Sequence, residues 1–168
     1  SGKALIFDGI KNYVNCGSNP ALDLPGSLTL SAWVRNDSDD GGQSQIIWRG
    51  DKRGAMDPYS LNIDNYKMEF RVDAGTGRDA FKVRSMQKID NNWHLWAGVY
   101  DKPNGKLHLY KDGKLENTEP IDKEIQYDTS TCWNMIGAAD EGNWQHFKGL
   151  IDDARVYDRP LTDDQIQQ

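Results

Sequence analysis

The chain has 168 residues, enough for one domain with its own core. Its 26 acidic residues against 20 basic ones give a net charge of −6, which argues against a nucleic-acid partner, because phosphate binding needs a basic face. The 6 Trp and 7 Tyr are too many for a disordered chain, and no apolar run reaches the roughly 20 residues of a membrane helix, so membrane insertion is not expected.

Short strands separated by turn residues dominate the pattern. Ala4-Leu5-Ile6-Phe7 is an apolar run that stops at Asp8-Gly9. Asn12-Tyr13-Val14-Asn15-Cys16 follows and is broken by Gly17-Ser18-Asn19-Pro20. Residues 27–34 alternate polar and apolar, and residues 36–42 have loop composition. Gln45-Ile46-Ile47-Trp48-Arg49 reads as a strand, and residues 50–58 as a loop. Residues 59–63 and 67–72 alternate on either side of Asp64-Asn65, which predicts a hairpin. Residues 74–79 form another turn before Phe81-Lys82-Val83. Residues 93–100 make a long aromatic strand, and residues 106–110 lead into a second hairpin through Asp112-Gly113. Residues 133–137 and 149–157 are the last strands, and Thr162-Asp163-Asp164-Gln165 has the form of a capping box for one short helical turn. Many short strands with almost no helix predict an all-β fold, a two-sheet antiparallel sandwich or a barrel. The terminal strand patterns are expected to lie side by side, since either alone would be a sticky edge.

Several of these segments together resemble laminin-G-like, concanavalin A-like jelly-roll domains. Ala4 to Gly9, Tyr13-Val14 and Leu30-Ser31-Ala32-Trp33-Val34 resemble the opening of such domains. Trp93-His94, Ala97-Gly98-Val99-Tyr100-Asp101 and Leu109-Tyr110-Lys111-Asp112-Gly113 resemble the central hairpin. Phe147-Lys148-Gly149-Leu150-Ile151-Asp152-Asp153-Ala154-Arg155-Val156-Tyr157 with Pro160-Leu161 resembles the closing strand and tail. The resemblance implies one jelly-roll sandwich over residues 1–168, a monomeric module that is part of a larger secreted, extracellular protein. Domains of this type in bacterial secreted proteins are carbohydrate-binding or adhesive modules attached to polysaccharide-active enzymes. Ser1-Gly2-Lys3 has no hydrophobic leader, consistent with removal of a secretion signal.

Jelly-roll glucanases carry Glu-x-Asp-x-x-Glu, in which the Glu-x-Asp carboxylates, at alternate positions, share one face of a strand. The nearest approach, Glu119-Pro120-Ile121-Asp122-Lys123-Glu124, puts Glu119 and Asp122 on opposite faces, and Pro120 is poor in a central strand. It reads as a charged loop or edge, so no enzymatic activity is expected. His94 and His108 lie on strands that could bring them face to face, and a structural polar role suits both. The resemblance also implies a structural Ca²⁺ tying the first segment to the last strand. Asp152 would be its main carboxylate and Asp8 a second ligand, although Lys11 and Asn12 stand where family members often have an acid. The alternative is that Asp153 pairs with Arg155 and that Asp8 only caps its turn. Cys16 and Cys132 are either one disulfide or two thiols.

The aromatic residues divide by position. Trp33 and Trp93 fall where the resembling family usually has Trp, which implies core positions. Trp48, Trp96, Trp133 and Trp144 are surplus, and Trp96 shares a strand face with His94 and Tyr100 that is either a groove or buried. Trp144 lies in Asp140-Glu141-Gly142-Asn143-Trp144-Gln145, a loop composition that would expose it, and Trp48 precedes Arg49 and Asp51 at a strand-to-loop junction. Sugar rings stack on exposed aromatic rings while polar groups read their hydroxyls. The expected ligand is therefore a polysaccharide or glycan, held by Trp48 and Trp144 with Arg49, Asp51, Tyr59 and Arg78 as polar partners. An extracellular adhesion domain binding proteins or glycoconjugates, and a small glycoside hydrolase, are the competing readings.

Overall fold

The computed structural model of the chain describes residues 3–50, 57–74, 80–127 and 132–167. Among the described residues, twelve strands form two six-stranded antiparallel sheets. They are β1 (Leu5–Asp8), β2 (Val14–Asn15), β3 (Leu28–Asn36), β4 (Ser44–Gly50), β5 (Tyr59–Asp64), β6 (Lys67–Asp73), β7 (Ala80–Arg84), β8 (His94–Asp101), β9 (Lys106–Lys111), β10 (Lys114–Pro120), β11 (Trp133–Ile136) and β12 (Lys148–Tyr157). The first sheet runs β1-β12-β3-β8-β9-β10, and the second runs β2-β11-β4-β5-β6-β7. The fold is the expected jelly-roll sandwich. Its first and last strands are neighbours, with Phe7 opposite Gly149. β10, which ends in Glu119-Pro120, is an edge strand, where a proline does no harm.

Alternation builds the core. Leu28, Leu30, Ala32 and Val34 of β3 point inward and meet Leu61 and Ile63 of β5 and Met68, Phe70 and Val72 of β6 in one buried cluster. Trp96 and Tyr100 of β8 join it, so that face of the strand is core and not a groove. Between those two residues, Gly98 lets the sheets close up: a Cβ there would lie 2.2 Å from Cγ of Phe70. The hairpins turn on left-handed pairs, Asn65-Tyr66 (φ 51° and 64°) and Asp112-Gly113 (φ 51° and 75°). Such pairs match the twist of the flanking strands.

The outer face of the first sheet is half covered. The capping box forms at Thr162, where Gln165 reaches back to the Thr162 N–H at 3.1 Å, and starts the short helix α1 (Asp163–Ile166). Leu161 and Ile166 of this tail bury Ala97, Val99 and Tyr110, and the Tyr110 hydroxyl donates to Asp163 at 2.8 Å. Both faces of β8 are thus covered along this stretch. The core placement of Trp33 and Trp93 is corrected: they are 40% and 37% exposed. Trp33 alternates with buried Ala32 and Val34, so it stands on the outer face.

Candidate functional site

The outer face of the second sheet concentrates the polar side chains that a strand sheet holds most rigidly. Glu69, Arg71 and Asp73 alternate along β6 with core residues Met68, Phe70 and Val72. Across the strands, Met135, Trp48, Ser60, Arg71 and Lys82 are successive partners in one row. Gln45, Asn62, Glu69 and Arg84 form the next. Ser60 is the smallest side chain of its row and is buried between Trp48 and Arg71, which stand two strand spacings, roughly 10 Å, apart.

A connected network runs over this face. The Ser60 hydroxyl donates to Asn62 at 3.1 Å, and Asn62 Nδ2 reaches Glu69 at 3.5 Å. Arg84 Nε donates to Glu69 at 2.5 Å, and Arg84 Nη2 holds Asp64. Arg71 lies 3.8 Å from Asp73. Three buried atoms of the face have no hydrogen-bond partner among the described residues: Gln45 Oε1, Trp48 Nε1 and Arg71 Nε. Buried polar groups are rarely left so, because each costs about 1–3 kcal/mol. The face therefore holds two buried donors and one buried acceptor that nothing among the described residues satisfies.

One flank of this face is a raised loop. Gly137 N–H donates to Ile46 O at 3.2 Å and Gln45 N–H to Gln145 O at 2.9 Å, so residues 138–144 leave and rejoin the edge of β4 as a single excursion. Ala139 packs on Trp48 and Met135, which fixes the excursion to the outer side. Gln45 Nε2 donates to Gln145 Oε1 at 2.6 Å, and Gln145 Nε2 to Gln43 Oε1 at 2.8 Å, pinning its base. Asp140, Glu141 and Gln145 all sit in the left-handed region (φ 49°, 54° and 54°), a strain that the surrounding contacts hold in place. At the neck of the excursion, where it pairs with Ala139, Trp144 is 66% exposed, as its loop composition predicts.

The other expected ligand residues fare differently. Trp48 belongs to this face but is buried beneath the loop rather than standing free. Arg49 points to the inner layer, where its Nε donates to Asp23 at 3.1 Å and its Nη2 holds the same carboxylate. It is a structural ion pair and not a surface contact. Tyr59 is corrected likewise: it is a buried strand residue whose hydroxyl donates to Leu22 O at 3.1 Å, and desolvation pushes its pKa well above the usual phenol range. Asp51 and Arg78 lie outside the described residues. The network residues Asn62, Glu69, Arg71 and Arg84 were not anticipated. Their signal is the run of charges at alternate positions of one strand matched by polar partners on its neighbours.

The remaining candidates do not converge. Asp8 Oδ1 accepts from Ile10, Lys11 and Asn12 N–H at 2.9, 2.9 and 3.0 Å, which lowers its pKa to about 2. This is the turn-capping role. Asp8 faces Lys148 and Asp152 faces Trp33 in the strand register. Lys148 and Asp152 are four residues apart on one strand, about 13 Å, so Asp8 and Asp152 cannot both reach one Ca²⁺ at about 2.3–2.6 Å. Among the described residues no three His, Cys, Asp or Glu side chains gather, and Asp8 and Asp152 do not form one shared site. Asp153 pairs instead with Arg155, at 2.7 and 2.6 Å. Cys16 is exposed and Cys132 buried, with no disulfide between them. His94 and His108 do not meet: His94 contacts Asp112 at 2.7 Å and Asp90 at 3.0 Å, while His108 contacts Thr118 at 2.8 Å and burial lowers its pKa.

A family model described as the concanavalin A-like lectin/glucanases superfamily matches residues 8–167, and the chain belongs to that superfamily. No curated protein sequence matches it. Among solved structures it is similar to the CBM40 of Ruminococcus gnavus IT-sialidase bound to α2,3-sialyllactose, at 19% identity and TM-score 0.79, covering 98% of this chain and 95% of that one. It is also similar to domain 4 of AbnA, a GH43 extracellular arabinanase from Geobacillus stearothermophilus, in complex with arabinotriose, at 20% identity and TM-score 0.74, covering 99% and 75%. The SAP-like pentraxin of Limulus polyphemus matches at 15% identity and TM-score 0.69, covering 96% and 78%. At these identities the likeness is one of fold.

Proposed function

We propose that this member of the concanavalin A-like lectin/glucanases superfamily is a noncatalytic glycan-binding module of a secreted, polysaccharide-active protein. The observation that carries the reading is the exposed Trp144, borne on an excursion that Ala139 and Gln145 hold against the polar outer face of the second sheet. A sugar ring has an apolar C–H face for the indole and hydroxyls for the polar side chains around it. Two solved relatives in fold hold glycans, sialyllactose and arabinotriose.

The ligand is neutral or weakly charged, because Arg71 and Arg84 already face carboxylates of their own. The same geometry supports binding rather than cleavage. Glu69 and Asp73 are four residues apart on one strand, about 13 Å, beyond the roughly 5–9.5 Å that flanks a glycosidic bond. Asp64 and Glu69 are nearer, but the Arg84 guanidinium bridges both and fills the space a scissile bond would need.

Calorimetry against soluble neutral polysaccharides tests the reading. Stacking on one ring is worth about 1–3 kcal/mol, so Trp144→Ala should raise Kd roughly tenfold or more. The melting temperature should change little, since most of this ring is in solvent. Binding by Trp144→Ala equal to that of the wild type, or release of sugar products from any bound polymer, refutes the reading.

A further inference from the structure

The opposite side of the sandwich carries a second surface. The C-terminal tail covers one half of the first sheet's outer face and leaves the other half open. There Trp33 lies in register between Asp152 of β12 and Leu95 of β8. Trp93, 37% exposed, immediately precedes β8, and continuing the strand's alternation puts it on the face of Leu95, diagonal to Trp33. Side chains in diagonal cross-strand positions start about 7–8 Å apart, so the two half-exposed indoles make a shallow shelf and not a single contact.

Two arginine–aspartate forks flank the shelf. Arg35 donates from Nε and Nη2 to Asp37 at 3.0 and 2.9 Å. Arg155 grips Asp153 through Nε at 2.7 Å and Nη2 at 2.6 Å, and its Nη1 donates to the Tyr157 hydroxyl at 3.2 Å. The second fork is set by a β-bulge between Asp152 and Arg155, with Asp153 held in the left-handed region at φ 50°. Bulges of this kind re-aim a side chain at a functional surface. Beside it opens a cavity of about 130 Å³ lined by Trp33, Arg155, Tyr157 and Gln165.

We propose that this shelf is a second glycan-binding site, taking a neutral polysaccharide chain across Trp33 and Trp93. Each fork cancels its own charge while keeping N–H and carboxylate groups turned to solvent for hydroxyls, and the indoles offer stacking faces. A polyanion would have to break the forks, and an apolar protein surface would have to bury them. The ligand class rests on the function proposed above, but the site is separate from it. With one site on each face, a single module can hold two polysaccharide chains.

Native electrophoresis through gels containing arabinan, arabinoxylan, galactomannan or xyloglucan separates the two sites. In a polymer that retards the wild type, the Trp33→Ala/Trp93→Ala double variant and Trp144→Ala should each weaken binding at least fivefold, and the triple variant should run freely. Melting curves confirm that the variants fold. Independently of any variant, titration of the ¹⁵N-labelled wild type with short fragments of that polymer should shift the indole N–H signals of Trp33 and Trp93. A double variant retarded like the wild type, with those signals unmoved, overturns the second site and leaves the first standing. Loss of binding in the double variant alone supports the second site and displaces the first. Free passage of the wild type through all four polymers overturns both. A dimer in sedimentation that the double variant dissolves assigns the shelf to self-association and also overturns the proposal.

Discussion

Replacing Asp23 with alanine removes the partner of a guanidinium that has almost no access to water. The Arg49 side chain is 2% exposed and that of Asp23 33%. Arg49 Nε and Nη2 both rest on Asp23, and Nη1 has no partner among the described residues. Stripping one member from a buried pair typically costs about 3–5 kcal/mol, because the other charge stays buried and uncompensated. Water can reach the Asp23 side of this pair, so the lower end applies, about 3 kcal/mol. For a domain of this size that is a fall in melting temperature of roughly 6–12 °C. Arg49→Met should be much milder, about 1 kcal/mol, because it removes the desolvated charge, keeps most of the volume, and leaves a carboxylate that water can solvate. The double variant should resemble Arg49→Met rather than the sum of the two. Thermal and urea melts by circular dichroism read all three. A loss for Arg49→Met equal to or larger than that for Asp23→Ala refutes the account of the pair. Lost glycan binding by Arg49→Met with an unchanged melt would return Arg49 to the binding surface.

Two further outcomes follow from local geometry. Gly98→Ala places a methyl group 2.2 Å from Phe70 and should destabilise by about 1–3 kcal/mol, read as a lower urea midpoint at unchanged slope; an unmoved midpoint means the sheets are not in that contact. The Asp8 carboxyl, held by three backbone N–H groups, should titrate at about 2 rather than at its ordinary 3.8. A carboxyl with a lowered folded pKa stabilises the fold fully above about pH 4 and loses that contribution as pH falls towards 2. The carboxyl carbon signal of Asp8 followed by NMR checks this, and a midpoint near 3.8 refutes it.

Much of the fold is legible because strands write a period of two. The sets Leu28, Leu30, Ala32, Val34 and Thr29, Ser31, Trp33, Arg35 separate cleanly, and the apolar set is the one inside. Trp33 sits in the polar set, so its alternation already marks it as outward-facing, whereas the habit of the resembling family marks it as core; the alternation is correct here. Period does not reveal irregularities. A register shift between Gln45 and Ile47 lets Ile46 and Ile47 both enter the core, which leaves every residue of β4 buried. Nothing in Gln45-Ile46-Ile47-Trp48-Arg49 announces that bulge, and without it neither the burial of Trp48 nor the inward turn of Arg49 can be placed.

The candidate site is legible only in its loop. Trp144 shows itself through the Asp, Gly and Asn around it, which cannot continue a strand and must lie at the surface. The strand-borne part has no such punctuation. Glu69, Arg71 and Asp73 look like the solvent side of any half-buried strand, because one strand carries no record of what lies opposite. Pairing changes their meaning. Once Asn62 and Arg84 stand beside Glu69, charges that would be loose in water become a held network, with Ser60 buried beside it. A binding site gains from that placement, since donors fixed by sheet packing lose little freedom when a ligand arrives. The loop contributes the opposite property, an indole already in solvent that needs no desolvated pocket to be found. On the function proposed above, recognition on this face divides between strands that set which hydroxyls are read and a loop that supplies stacking, and only the second half is visible in a linear sequence.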